Sequence, residues 1–335
     1  MADDPHRRLL AASGLRPMEA RAAAELPRGA GWQFEPKFDG FRALAWRCGG
    51  EAALIGKSGK PLGRYFPEVL AHLAALPAQV FLVDGELIIE RGGFAALQQR
   101  LHPAQSRIRR LAAETPATLV LFDMLVSPTG LDLAAESLER RRAALESFFD
   151  RLPDASGLQL APITLDLRTA QRWLRRSGSN GRDGVMAKRR DGPYRAGERA
   201  MVKVKRVRTA DCVVGGFRYL DQKREAGSLL LGLYDEAGRL NHVGFTSTIS
   251  GAERTTLTRR LEALAGPPGF TGAAPGGRSR WATDRSAEWT PIRPVLVVEV
   301  AFDQVTADRF RHGTRLVRWR LDKAPEQCRM DQLAG

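Results

Sequence analysis

The 335-residue sequence predicts an α+β domain followed by a smaller, mainly β domain. In the first part, short apolar runs of strand length alternate with helical stretches, which is typical of mixed α+β folds. After about residue 208 helical patterns become rare, and short strands with turn signals follow one another, as in a small β-barrel. The length also suits about two domains of ~150 residues each. We therefore expect one domain over 1–207 and a second over 208–335.

The elements of the first domain are predicted in chain order. Residues 1–30 predict one or two short helices that end at "LPRGAG". Between 31 and about 125, the strand-like runs "FRALAW", "AALIG", "VFLVDGELII" and "TLVLFDML" alternate with helical stretches such as "FPEVLAHLAAL". Residues 132–178 are helical in pattern, because apolar residues recur three and four apart.

The second domain is predicted from four strand-like runs, "CVVGGFRYL", "GSLLLGLYDEAG", "LNHVGFTSTI" and "PVLVVEVAFDQV". A helix over 252–264 and a loop rich in glycine and proline over 266–277 interrupt them. The linker near 206–211 is short.

The charge balance favours a polyanionic partner. Lysine and arginine number 52 against 38 acidic residues, which gives a net charge of +14, and the excess recurs in clusters along the chain. A field of this sign attracts nucleic acid. No apolar run is long enough to cross a bilayer, and the amino terminus has no apolar signal segment. The three cysteines are widely spaced, so we expect a cytoplasmic protein without a disulfide or zinc site.

A phosphate-binding glycine loop is excluded first. "GGEAALIGKS" resembles one, but the position six before Lys57 is Glu51 rather than glycine. A protein can also bind a nucleotide such as ATP covalently. In that case a lysine amine attacks the α-phosphorus and keeps the nucleotide. Such a site also needs carboxylates for a divalent metal, further cations for the phosphates and an aromatic face for the base.

These parts occur together in one order along the chain. "QFEPKFDGFRALAW" looks extended, and from Phe38 onward it has the period of two of a strand, with Gly40 as a point of close backbone approach. That stretch and four later motifs, "VDGEL", "FDML", "DGVMAK" and "MVKVK", supply the required side chains: Lys37, Arg42, Glu86, Phe122, Asp183, Lys188, Lys203 and Lys205. Each motif alone has an ordinary structural explanation, and only the set indicates the chemistry.

The set resembles the ATP-dependent DNA ligases of the covalent nucleotidyltransferase superfamily, over almost the whole chain. The K-x-D-G-x-R signature is Lys37, Asp39, Gly40 and Arg42, and "KSGKPLGRYFPE" resembles the family's second motif. "RWRLDK" resembles the last motif, in the oligonucleotide-binding (OB) fold that follows the adenylation domain. "FRHGTRLVRWRLDKAPEQC" is most similar to the standalone bacterial C-type ligases, which are related to the end-joining D type.

The resemblance implies sealing of 5′-phosphate/3′-hydroxyl nicks in duplex DNA, with ATP and magnesium or manganese, by an adenylated Lys37. It implies nucleotide binding by Glu35, Arg42, Lys57, Glu86, Phe122, Lys203 and Lys205. The resemblance also implies that Glu86 and Asp183 bind the metal and that Arg320, Asp322 and Lys323 orient the pyrophosphate. We also expect a monomer that works on nicked or broken DNA at the nucleoid with end-joining or excision-repair proteins, and no membrane.

Three motifs depart from the family pattern. Gly56 and Lys57 replace the usual Ser-Arg pair, Asp183 replaces a glutamate, and Met201 replaces a tryptophan. An ammonium lacks the bidentate geometry of a guanidinium, so Lys57 is expected to bind the nucleotide or the DNA more weakly.

Two further hypotheses remain at this point. One is an RNA ligase or a capping-type nucleotidyltransferase, against which the carboxyl-terminal motif argues. The other is a DNA-binding module that has lost catalysis, which uptake of AMP from ATP would distinguish.

Overall fold

The structure, a computed structural model, describes residues 15–153, 157–178, 181–220, 223–276 and 288–333. Contacts divide the chain into two compact units, Met1–Arg206 and Val207–Gly335. Among the described residues, no helix is both long enough and apolar enough to cross a membrane.

The first unit contains strands β1 to β9 and helices α1 to α5 in its described residues. The strands are β1 (Ala20–Ala22), β2 (Trp32–Phe38), β3 (Phe41–Cys48), β4 (Glu51–Gly56), β5 (Val80–Ile88), β6 (Thr118–Val126), β7 (Leu158–Leu160), β8 (Arg182–Arg189) and β9 (Met201–Val204). The helices are α1 (Pro67–Ala75), α2 (Gly93–Arg100), α3 (Gln105–Glu114), α4 (Leu138–Phe149) and α5 (Leu167–Arg175), with a 3-10 turn at Gly63–Tyr65.

These strands form two sheets. The first has the order β1-β9-β8-β2, with β1 parallel to β9 and the remaining pairs antiparallel. The second has the order β4-β3-β5-β6-β7, in which only β6 and β7 run parallel. Helix α5 packs on β2 and β8, whereas α1 and α4 cover the second sheet.

The period of two along β3 divides its side chains between two cores. Ala43 and Ala45 join the core beneath the helices that cover the second sheet. Leu44 and Trp46 point to the other face and join a core that includes Met201 of β9. Because both faces are covered, β3 is buried from Ala43 onward, and its position is fixed from two sides.

Capping hydrogen bonds stabilise the first turns of α4 and α5, and a buried ion pair attaches α4 to the second sheet. Ser137 accepts a hydrogen bond from the Arg140 amide at the start of α4, and Asp166 caps α5 in the same way. Arg141 of α4 pairs with Asp123 of β6 at 2.7 Å, and both side chains are buried. Removing either partner would leave a buried charge, which ties α4 to the sheet.

The second unit contains a six-stranded sheet around its own apolar core. Its described elements are β10 (Arg208–Leu220), β11 (Lys223–Tyr234), β12 (Leu240–Thr246), α6 (Arg254–Glu262), β13 (Thr290–Pro291), β14 (Val297–Phe302), β15 (Val305–Thr306), β16 (Arg309–Phe310) and β17 (Arg315–Trp319), with 3-10 turns at Pro325–Gln327 and Met330–Leu333. The order is β12-β11-β10-β14-β17, β13 pairs with β10, and β15 and β16 form a separate ribbon.

The expected barrel is only partly closed. In the described residues the edge strands β12 and β17 share no continuous ladder. They approach at the isolated bridge between Thr246 and Thr314, where the Thr314 amide donates to the Phe245 carbonyl at 2.9 Å. Register shifts interrupt the pairing of β10 with β11, and irregularities of this kind bend a strand and increase its twist.

Two local expectations were wrong. Residues 15–30 form no helix, and Ala20–Ala22 is a strand that pairs with β9; the rest of the predicted helical region lies outside the described residues. The strand predicted from Phe38 onward begins only at Phe41, because Asp39 and Gly40 separate β2 from β3. The two strands belong to different sheets, and this break creates the candidate site.

Candidate active site

The site begins where the chain passes from one sheet to the other. Lys37 lies near the end of β2, and Arg42 lies at the start of β3. Between them the Gly40 amide donates to Glu86 Oε1 at 3.1 Å, and a Cβ at Gly40 would overlap the backbone carbonyl oxygen of Leu87. Glycine is required here because of this close approach. The nucleophile candidate and the carboxylate are thereby brought to one cleft.

Lys37 contacts Asp183 directly. Its Nζ lies 2.7 Å from Asp183 Oδ1, and Lys205 Nζ lies 3.1 Å from Oδ2 of the same carboxylate. Strand pairing explains the contact, because Lys37 is opposite Gly184, the residue after Asp183. The Asp183 side chain is only 3% exposed and serves both ammonium groups. Two predicted cations are therefore held on one buried carboxylate.

The enclosed end of the site is aromatic and charged. The Phe122 ring has Arg42 at 4.5 Å and Lys188 at 4.4 Å from its centroid, a distance range for cation–π contacts. Lys188 Nζ also lies 2.8 Å from Glu35 Oε2, and both side chains are buried. Gln33 donates to Glu35 Oε1 at 2.9 Å, which fixes the carboxylate. Lys188 was noted in the sequence, but only the structure places it on Phe122.

Arg42 is held by a residue that the sequence analysis did not select. Its Nε and Nη2 donate to the two carboxylate oxygens of Asp84 at 2.5 and 2.6 Å. Asp84 is fully buried and also accepts from the Tyr194 hydroxyl at 2.6 Å. Burial alone would lower the pKa of Arg42, but the Asp84 charge more than offsets this and raises it. The guanidinium plane is thus oriented beside Phe122.

Glu86 is the second carboxylate in the cleft. Burial raises the pKa of Glu86 to about 7, although the positive charges of Arg42 and Lys37 oppose the shift. Glu86 and Arg42 are opposite each other in the β3–β5 ladder, which explains their proximity. A carboxyl group with this pKa is readily deprotonated when a cation binds near it.

A cavity of about 630 Å³ connects these groups, a volume within the range of small-molecule sites. Of the predicted residues, it is lined by Glu35, Lys37, Arg42, Lys57, Glu86, Phe122 and Lys203. Asp183 and Lys205 do not line the cavity. Asp183 contacts Lys37, which does line it, and Lys205 contacts Asp183. Strand β9 ends at Val204, so Lys205 lies just beyond the strand that carries Lys203.

Lys203 lies among like charges. Burial lowers the pKa of Lys203, and the ammonium groups of Lys37, Lys205 and Lys57 lower it further. At the mouth of the cavity Lys57 is largely exposed and lies 3.2 Å from Glu19 Oε1. The cavity therefore concentrates positive charge around Lys37, as a polyphosphate ligand requires.

The residues predicted to orient pyrophosphate form a cluster within the second unit. Arg320 donates to both oxygens of Asp211 at 2.8 Å and to Asp322 through Nε and Nη2. Lys323 reaches Asp211 Oδ2 at 2.8 Å. The hydrogen bond from Arg320 lowers the pKa of Asp322 to about 2. Asp211 thus holds Arg320 and Lys323, and Arg320 in turn holds Asp322.

Asp84 and Asp211 had one signal in the sequence. Each is a carboxylate next to an otherwise apolar strand run, "VFLVDGELII" and "DCVVGGF". A charge in such a run requires a partner, because an unpaired buried charge is costly. The partner in each case is far away in the sequence, so only the fold identifies it.

The carboxylates fit a divalent metal that arrives with its nucleotide. Within the described residues no group of three or more histidine, cysteine, aspartate or glutamate side chains could hold a metal ion alone. Magnesium commonly takes one or two carboxylates and completes its shell with substrate phosphates and water. Glu86 and Asp183 supply hard oxygen donors of the right kind beside Lys37.

Comparison with known proteins identifies the family. A family model described as "ATP dependent DNA ligase domain" matches residues 17–205, and one described as "ATP dependent DNA ligase C terminal region" matches residues 222–323. DNA ligase C1 of Mycolicibacterium smegmatis is 40% identical over 332 residues, which cover 95% of this chain and 93% of that protein. DNA ligase C of Mycobacterium tuberculosis is 39% identical over 334 residues, with the same coverage of 95% and 93%.

A solved structure, from a study of Lig E DNA ligases, covers 90% of this chain and 99% of its own at 19% identity, with a TM-score of 0.57. That likeness concerns the fold alone. The predicted fold class, an adenylation domain followed by an OB-fold domain, is confirmed, with the barrel incompletely closed. The chain belongs to the family of ATP-dependent DNA ligases, enzymes that use ATP and a divalent metal and pass through a lysyl-AMP intermediate.

Proposed function

We propose that the protein seals 5′-phosphate/3′-hydroxyl nicks in duplex DNA during repair, with Lys37 as the lysine that carries AMP. The observation that carries this assignment is the position of Lys37. Its Nζ opens into the cavity of about 630 Å³, and a buried carboxylate holds it at 2.7 Å. Lys188 also lines the cavity and pairs with a buried carboxylate, that of Glu35, but its side chain is only 4% exposed, whereas Lys37 is 22% exposed.

The reaction has three steps. First, the neutral amine of Lys37 attacks the α-phosphorus of ATP; the N–P bond forms, the bond to the β-phosphate oxygen breaks, pyrophosphate leaves and Nζ gives up a proton. Second, an oxygen of the DNA 5′-phosphate attacks the same phosphorus, and the amine leaves and regains a proton. Third, the 3′-hydroxyl attacks the 5′-phosphorus, loses its proton and releases AMP, which closes the backbone.

The protein side chains hold the nucleotide and its developing charge. Phe122 offers a ring face to the base at the enclosed end of the cavity, with Glu35 and Lys188 at the base's polar edge. Arg42, anchored by Asp84, approaches the ribose. Asp183 orients the amine of Lys37, and Lys203 and Lys205 stabilise negative charge on the transferring phosphorus.

Glu86 and Asp183 are the residues that would hold the metal. A bound magnesium or manganese ion neutralises phosphate charge and polarises the phosphorus for attack. Burial raises the pKa of Glu86 to about 7, so loading of this site is expected to release protons near neutral pH. Lys57 offers phosphate a single ammonium group in place of the guanidinium of the family's usual arginine.

In the second unit, Arg320, Asp322 and Lys323 are assigned to the departing pyrophosphate, and Asp211 is assigned to position them. The ion pairs that Asp211 makes at 2.8 Å with Arg320 and Lys323 support this role, because they hold two flexible cations in one orientation.

The setting follows from the chemistry of the substrate. A net charge of +14 supports binding along the DNA backbone, weakened by salt. We propose that the protein works as a cytoplasmic, nucleoid-associated monomer, with end-joining or excision-repair proteins as partners.

The test is sealing of a nicked duplex that carries a labelled 5′-phosphate, by protein that has first been treated with pyrophosphate and magnesium to remove any bound AMP and then desalted, with magnesium and with or without ATP. Wild-type protein should give full-length product only with ATP, and Lys37→Ala should give none. Lys223→Ala, which removes an exposed lysine of the second unit, is the matched control and should seal normally. ATP-independent sealing, or sealing by Lys37→Ala, would overturn the assignment.

A further inference from the structure

Glu19 is an acidic residue that lines the cavity and has no place in the mechanism above. It immediately precedes β1, and its backbone is fixed on both sides. Its amide donates to the Glu198 carbonyl at 2.7 Å, and its carbonyl accepts from the Met201 amide at 3.1 Å. The second bond attaches Glu19 to the start of the inner strand β9, at Met201, two residues before Lys203. The position of its carboxylate is therefore set by the sheet.

The carboxylate contacts two cations of the same cavity. Glu19 Oε1 lies 3.2 Å from Lys57 Nζ, and Oε2 lies 3.7 Å from Arg199 Nε. The two cations are 63% and 75% exposed, whereas Glu19 is 31% exposed. The hydrogen bond from Lys57 is the main cause of a lowered pKa at Glu19, with smaller contributions from Arg199 and Lys203. Glu19 is thus ionised at neutral pH.

The geometry of the cavity indicates that Lys57 and Arg199 bind the β- and γ-phosphates of ATP. The end that contains Phe122, Glu35 and Lys188 is buried and suits the base, and Lys37 marks the α-phosphate. The β- and γ-phosphates must then extend toward the exposed end, where Lys57 and Arg199 line the cavity. Carboxylate and phosphate oxygens compete for the same ammonium and guanidinium donors. Glu19 therefore occupies the cations that a polyphosphate chain would use.

We propose that Glu19 is an internal counter-anion for the polyphosphate end of the site, which weakens binding of ATP and of pyrophosphate and leaves binding of AMP unchanged. The inference rests on the proposed function, and it adds a residue that sets affinity without touching the reacting atoms. By competing for Lys57 and Arg199, Glu19 favours departure of pyrophosphate after adenylation and so opposes the reverse reaction.

A purely supporting role for Glu19 predicts the opposite sign. If the carboxylate only positioned Lys57 and Arg199 for productive contact, its neutralisation would weaken binding of ATP. Glu19→Gln keeps the shape of the side chain and removes the charge, so it separates the two roles. Glu25→Gln is the matched control, because Glu25 is an exposed carboxylate of the same segment that pairs with Arg28 and does not line the cavity.

The first measurement is the rate of enzyme adenylation as a function of ATP, in full-length Glu19→Gln, Glu25→Gln and wild type. Exposed ion pairs contribute little each, so for two pairs we expect the half-saturating ATP concentration to fall about two- to tenfold in Glu19→Gln, with a similar maximal rate. The pyrophosphate concentration that half-maximally removes AMP from the adenylated enzyme should fall similarly. The constant for competition by AMP should stay at the wild-type value, and Glu25→Gln should match wild type throughout.

The second measurement is calorimetric titration of each protein with inorganic pyrophosphate alone, which needs no catalysis. Tighter binding by Glu19→Gln supports the inference even if wild type forms no adduct, an outcome that would reject the proposed function instead. Equal or weaker pyrophosphate binding by Glu19→Gln, or an equal gain for AMP, would overturn the inference.

Discussion

The buried contact between Asp84 and Arg42 allows a quantitative prediction. Asp84 is fully buried and accepts three hydrogen bonds, two from Arg42 at 2.5 and 2.6 Å and one from the Tyr194 hydroxyl at 2.6 Å. Asp84→Asn removes the charge and turns an amide NH₂ toward one of these donors. The Arg42 guanidinium then lacks its counter-charge in a partly buried position.

Loss of one partner of a buried ion pair costs about 3–5 kcal/mol. The lower figure applies here, because Arg42 also reaches the cavity and retains some access to solvent. For a unit of roughly 200 residues, 1 kcal/mol shifts Tm by about 2–4 °C, so ~3 kcal/mol lowers the Tm of the first unit by about 6–12 °C. Because Arg42 also lies beside Phe122, the ATP concentration needed for adenylation should rise.

Differential scanning calorimetry of the full chain measures the shift, and adenylation at varied ATP measures the functional effect. Asp191→Asn is the control, since Asp191 pairs with Arg189 on the surface and its loss should leave Tm close to wild type. An Asp84→Asn protein with the Tm and the ATP dependence of wild type would refute this explanation of how Arg42 is held.

Three further predictions follow from other parts of the molecule. Because burial raises the pKa of Glu86 from 4.5 to about 7, the folded state keeps this proton longer than the unfolded state, and the stability of wild type should fall as pH rises through that window. This loss in the free energy of unfolding, on the order of 3 kcal/mol between pH 4 and pH 8, should be absent in Glu86→Gln. Equal dependence of the unfolding free energy on pH in wild type and in Glu86→Gln would contradict the prediction. Gly40→Ala should disturb the cleft, because the added Cβ overlaps the Leu87 carbonyl oxygen, and both Tm and adenylation should fall, whereas a normal adenylation rate would count against the close approach. Asp211→Asn should slow adenylation, because it releases Arg320, yet should leave sealing of a pre-adenylated nick near wild type; equal losses in both assays would reject a role in the first step.

The sequence selected candidate residues for the site, but a local pattern does not contain the strand pairing that brings them together. The residue types and their order were sufficient to select Lys37, Glu86 and Phe122, because covalent nucleotidyl transfer needs a lysine, carboxylates and an aromatic face. The period of two did not reveal that Lys37 and Arg42 belong to different sheets, because alternation along a strand does not identify the partner of that strand. Strand partners are chosen by the whole fold, which a local pattern does not contain.

Long-range pairing also explains the other differences. Ala20–Ala22 lies in an alanine-rich stretch that favours helix, but it is a strand because β9, about 180 residues away, offers an edge. Asp84 and Asp211 were visible only as charges in apolar runs, and their cations, Arg42 and Arg320, are distant in the sequence. The roles of all these residues remain predictions that the variants above address.

The most direct test of the account is intact-mass spectrometry of wild type and Lys37→Ala after incubation with ATP and magnesium. We expect a single AMP adduct on wild type and on the control Lys223→Ala, and none on Lys37→Ala. Peptide mapping should place the adduct within "FEPKFDGFR". A wild-type protein that gains no AMP, or a Lys37→Ala protein that retains it, would contradict the assignment of Lys37 as the adenylated residue.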